Sequence, residues 1–96
     1  MKKFLMLMYG AAEPTPEGMA AWRAWFQRIG DHIVDSGNPL GACVEVTPSG
    51  SRSLGPDDGV SVGYTILSAD SLDEAVRLLA DCPIADSVRL HEALPM

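Results

Sequence analysis

Phe4-Leu5-Met6-Leu7-Met8-Tyr9, closed by Gly10, is the stretch on which the fold turns. An apolar run of this length fits a strand buried on both faces better than a helix. A strand of that kind stands inside a sheet, so neighbours are expected on both of its edges and a layer on each of its faces. The run Val60 to Leu67 reads the same way. Two other segments alternate with period two and keep one polar face: Leu40 to Thr47, and Val88 to Leu94, where Val88 and Leu90 turn inward and Arg89 and His91 outward.

Two helices separate these strands. Thr15-Pro16-Glu17 is a helix start, with a capping hydroxyl, a proline suited to the first helical position and an acid that complements the helix dipole. Met19, Trp22, Phe26, Ile29 and Ile33 then recur at spacings of three and four, which predicts one long helix stopped at Gly37-Asn38-Pro39. The second helix opens at Ser71-Leu72-Asp73-Glu74 with Ser71 or Asp70 as its cap, carries Leu72, Ala75, Val76 and Leu79 as its stripe, and ends at Cys82-Pro83. Pro48 to Gly59 reads as a long loop, expected to be mobile or to lie over the mouth of a pocket.

The order is β-α-β-β-α-β, a ferredoxin-like α+β protomer with an antiparallel sheet and two helices on one face. The doubly apolar strands fall at the two central positions of that topology and the alternating ones at its edges. Two helices cover only one sheet face. Either Phe4, Met6 and Met8 or Leu5, Leu7 and Tyr9 would stay bare, which calls for a second sheet, most simply that of an identical chain.

Composition narrows the function. Ninety-six residues make one domain, spanning residues 1–96. Seven basic against thirteen acidic residues give a net charge of −6, which argues against nucleic acid and anionic membranes as partners. The apolar run at the start is shorter than the ~7–15 residues of a secretory core, and no stretch approaches the ~20 of a membrane span. With two cysteines, Cys43 and Cys82, expected as free thiols, a cytoplasmic setting is expected.

Several stretches, taken in order, carry a likeness: Tyr9-Gly10, the Trp-containing helix Met19 to Phe26, Gly37-Asn38-Pro39-Leu40-Gly41, Gly63-Tyr64-Thr65-Ile66-Leu67-Ser68-Ala69, Ser71-Leu72-Asp73-Glu74-Ala75, Cys82-Pro83 and Glu92-Ala93-Leu94-Pro95. Together they resemble the YCII-related domain family. The resemblance covers nearly the whole chain and implies a dimeric α+β barrel, in which two such sheets pair face to face. It also implies a His/Asp dyad with the histidine in the first helix. That place falls near Ala21 here, with no histidine within several residues.

Among ionisable groups His32 is the candidate base, with Asp35 three residues on as its orienting carboxylate. The plain alternative is a surface pair at a helix C-terminus. Tyr9, Trp22, Trp25 and Tyr64 are the candidate walls of a ligand pocket between the first helix and the sheet, against the alternative that the tryptophans are core. Asp57-Asp58-Gly59 lacks the further carboxylates of a calcium loop, and Gly50 to Gly55 lacks the ending of a phosphate loop. No metal and no cofactor are expected. The first reading is a homodimer binding a small organic molecule, with lyase or proton-transfer chemistry. A non-catalytic metabolite- or protein-binding assembly module and a cofactor-independent monooxygenase are the alternatives.

Overall fold

The computed structural model describes residues 1–10 and 15–96. The chain is α+β. Strand β1 (Lys2–Tyr9) leads to α1 (Pro16–Arg28), a 3-10 turn at Gly30–His32 and β2 (Ile33–Pro39). Strands β3 (Cys43–Thr47) and β4 (Gly50–Leu54) form a hairpin, and a 3-10 turn at Pro56–Asp58 precedes β5 (Gly63–Ala69), α2 (Leu72–Leu78) and β6 (Ser87–Ala93). The main sheet runs β2-β5-β1-β6 with every neighbour antiparallel, while β3 and β4 make a sheet of their own.

The central strands hold the core. Phe4 and Met6 on β1 and Thr65, Leu67 and Ala69 on β5 are fully buried, and they meet Trp25 from α1, Ile29 at its C-cap and Ala75 from α2. Leu5, Leu7 and Tyr9 alternate to the opposite face, beside Tyr64 and Ile66. Thr65 can sit dry because its hydroxyl donates to the Ser36 carbonyl at 3.0 Å. Thr15 caps α1 by accepting from Gly18 N at 3.0 Å, and Ser71 caps α2 by accepting from Glu74 N at 3.1 Å.

The exit of α2 is tied to α1. Trp25 Nε1 donates to the Leu78 carbonyl at 2.8 Å, and Arg28 Nη2 donates to the carbonyls of Leu78 and Ala80. Those oxygens have no partner within their own helix, and the guanidinium complements the negative end of its dipole.

Four expectations are corrected. The first helix stops at Arg28, and the chain from Ile33 to Pro39 is strand. The spacing Ile29–Ile33 mimics a helical step because both side chains pack on the same core from different elements. The strand placed at Leu40 to Thr47 is therefore not the sheet edge: β2 is, and Cys43–Thr47 belongs to the hairpin. The loop Pro48 to Gly59 contains β4, a run with little strand propensity that is held by its ladder to β3. On α2 the stripe is rotated, since Leu72 and Val76 are exposed while Ala75, Leu78 and Leu79 face the core.

Gly37 shows why β2 is hard to read. Its φ is +79°, and a Cβ there would lie 1.7 Å from the Tyr64 carbonyl oxygen. A glycine that looked like a helix stop is instead the close crossing of an irregular edge strand over β5.

No helix among the described residues is long and apolar enough to cross a membrane.

Candidate functional site

The gap between α1 and the sheet opens at the end where β1 and β2 finish and β5 and β6 begin. A cavity of about 570 Å³ occupies it. Met8, Gly63, Thr65 and Val88 form the sheet side, Trp22 and Phe26 the helix side, and Pro83 to Ala85 one flank. Tyr9, Tyr64, Asn38 and Ser87 border it at the strand ends, with side chains that strand alternation turns to the open sheet face.

Helical geometry divides the two tryptophans. Trp25 is 2% exposed and lies in the core, its indole N–H spent on Leu78. Trp22 is half-buried and stands edge-on to it, with centroids 5.7 Å apart, and it lies 5.9 Å from Phe26 in a tilted arrangement. The result is an aromatic wall braced from behind by a packed ring. Three of the four expected wall residues, Tyr9, Trp22 and Tyr64, line the cavity; Trp25 does not.

Local contacts hold the strand ends around the cavity mouth. Asn38 Nδ2 reaches the Tyr64 hydroxyl at 3.5 Å. The Ser61 hydroxyl lies 2.8 and 2.7 Å from the carbonyls of Met8 and Gly63 and shares its one proton between them, which joins the ends of β1 and β5. The Arg89 guanidinium lies 4.8 Å from the centroid of the Tyr9 ring and holds it from the open sheet face. Among the described residues lining the cavity, none is Asp, Glu, His, Lys, Arg or Cys.

His32 and Asp35 lie elsewhere. His32 ends the 3-10 turn, and its Nδ1 donates to the Ser68 carbonyl at 2.8 Å, which fixes the tautomer with the proton on Nδ1. Asp35 is on β2, where Oδ1 accepts from Gly37 N at 2.8 Å. The pairing expected from helical spacing is not formed, because no helix spans these two residues. Ser68 and Gly63 are at opposite ends of β5, roughly 17 Å apart at the rise of a strand, so His32 stands far from the cavity.

Asn38, Phe26 and Ser87 were missed as lining residues. Phe26 was legible from its place one turn beyond Trp22. Asn38 was hidden because Gly37-Asn38-Pro39 reads as a helix stop, although here it ends a strand.

Of the two thiols, Cys82 packs against the core and Cys43 starts the hairpin, and both are free. Burial pushes the Cys82 thiol up to about 11, with Arg28 opposing the shift. It is therefore protonated and a poor nucleophile at neutral pH.

The chain matches no protein-family model, no curated protein and no solved structure.

Proposed function

We propose that the chain is a homodimer that binds a small, flat, uncharged organic molecule in the cavity between α1 and the end of the sheet. The observation that carries this reading is the cavity's chemistry: an aromatic wall and a floor of Met8 and Val88, with no charged side chain among the described residues that line it. Its volume of about 570 Å³ falls within the range of ligand sites. A charged ligand would lose its hydration without gaining a counter-ion from the described residues that line the cavity.

The geometry favours the binding reading over lyase or proton-transfer chemistry. A general base has to come within about 3 Å of the proton it takes. His32 is roughly a strand's length away from the cavity, and none of the described residues that line it is Asp, Glu, His, Lys or Cys.

The protomer is read as ferredoxin-like, of the YCII-related type, with the β3–β4 hairpin as an insertion. The strand order β2-β5-β1-β6 and two helices on one face support this. The second copy covers the other face. Leu5, Leu7, Tyr64 and Ile66 form an apolar centre there, with Arg89 on the β6 side and Asp35 on the β2 side. A two-fold axis along the strands, lying between the sheets, sets each Arg89 flank opposite the partner's acidic flank.

Ligand-observed NMR with neutral bicyclic aromatics and their carboxylated analogues tests the ligand class. Saturation transfer to the neutral set, lost in Trp22→Ala, is the expected result. Equal binding of the carboxylated set would overturn the reading.

A further inference from the structure

We infer that the β3–β4 hairpin is an arm that packs its Val44/Val46 face onto a second copy of this chain, at the end of the molecule that holds the cavity. The inference rests on the dimer reading above.

The two faces of the hairpin differ. Glu45 and Arg52 pair across one face, with Arg52 Nε 3.0 Å from Glu45 Oε1, and Thr47 shares it. The other face carries Val44 and Val46 opposite Ser53 and Ser51, and the valines are 57% and 76% exposed. No hairpin residue belongs to either core cluster among the described residues. A lone two-stranded hairpin is marginal in water, and a charge-free valine face asks for a cover.

Surface area points to what covers it. The chain exposes 6750 Å², whereas a folded monomer of its mass exposes about 5,300 Å². Its radius of gyration is 14.7 Å, against about 12.5 Å for a compact domain of this length. The excess of about 1,400 Å² is more than the ~800 Å² per partner that a specific interface needs.

Connectivity supplies the position. Leu40 N donates to the Val62 carbonyl at 2.9 Å and pins the root of the arm, where Pro39 and Val62 line the cavity. With the two-fold axis along the strands, both arms emerge at the same end of the dimer. An arm of five-residue strands extends about 17 Å, and stacked sheets lie about 10 Å apart, so the arm can reach the second copy.

Two measurements test this. Hydrogen exchange of the wild-type protein, followed by mass spectrometry above and below the dimer dissociation constant, should show peptides from 43–54 exchanging at least about tenfold slower in the dimer. In sedimentation equilibrium, the double variant V44D/V46D should dimerise about a hundredfold more weakly, while Thr47→Asp on the opposite face stays within about threefold of wild type. Near-UV circular dichroism of the buried Trp25 checks that each variant is folded. If wild type is a monomer at about 100 µM, both the dimer and the arm are overturned. If it is a dimer whose hairpin exchange ignores dimerisation, or if V44D/V46D dimerises like wild type, the arm alone is overturned.

Discussion

Replacing Trp25 with Phe probes the joint between the two helices. The substitution removes the 2.8 Å hydrogen bond to the Leu78 carbonyl and leaves a phenyl ring where an indole was packed against Met6, Ile29 and Leu67. The lost bond costs about 1 kcal/mol, and a residual void of ~40 Å³ costs about 1 kcal/mol more. The expected loss is therefore about 2 kcal/mol, against about 3–5 kcal/mol for Trp25→Ala. The Leu78 oxygen is not orphaned by this change, because Arg28 Nη2 also reaches it at 3.0 Å. Arg28→Ala alone should cost about 0.5–1 kcal/mol, since its guanidinium is half exposed. Removing both donors strips that carbonyl of its protein partners, so the double variant should lose about 1 kcal/mol beyond the sum. Urea unfolding of the four proteins at one fixed concentration, followed by far-ultraviolet circular dichroism, reads the cycle. Additivity within about 0.3 kcal/mol would refute the idea that the two side chains share one acceptor.

Gly37→Ala should cost about 3 kcal/mol or more, or yield insoluble protein, because its φ is +79° and the new methyl would strike the Tyr64 carbonyl; thermal unfolding measures this. Leu5→Asp, on the sheet face away from the helices, should give monomers in sedimentation, whereas Met6→Asp, at a fully buried position, should unfold the chain. The Cys82 thiol is raised to about 11 from an ordinary 9.0, so the folded state holds its proton more tightly than the unfolded state. Its contribution is whole below about pH 9 and fades as pH rises toward 11, and this part of the alkaline loss should vanish in Cys82→Ala. Cys43 should react with iodoacetamide at pH 8 well before Cys82, as peptide mass mapping would show.

The strands that hold the core were legible because their apolar content exceeds what one face needs. Phe4–Tyr9 and the run around Tyr64–Leu67 could stand only inside a sheet, and they do. The cap at Thr15 was legible for a local reason, a hydroxyl three residues ahead of a free backbone N–H, and of Asp70 and Ser71 it is Ser71 that caps α2. The edge β2 was not. Its pattern of Ile33-Val34 followed by polar residues, a left-handed glycine and a proline carries no strand period, and its place is set by pairing with β5. The hairpin escaped for the same reason, since Gly50-Ser51-Arg52-Ser53-Leu54 becomes strand only beside β3. At the site, aromatic residues announced a wall, and Tyr9, Trp22 and Tyr64 line it. The His32–Asp35 pair drew its warrant from a helix that stops short of both residues.

The proton–nitrogen correlation spectrum of the labelled protein, titrated with a neutral bicyclic aromatic, tests the central claim most directly. The Trp22 indole and the backbone amides of Gly37, Asn38 and Gly63 should shift together, with His32 and Ser68 unmoved. Shifts gathered around His32 and Ser68, with the Trp22 indole still, would contradict it.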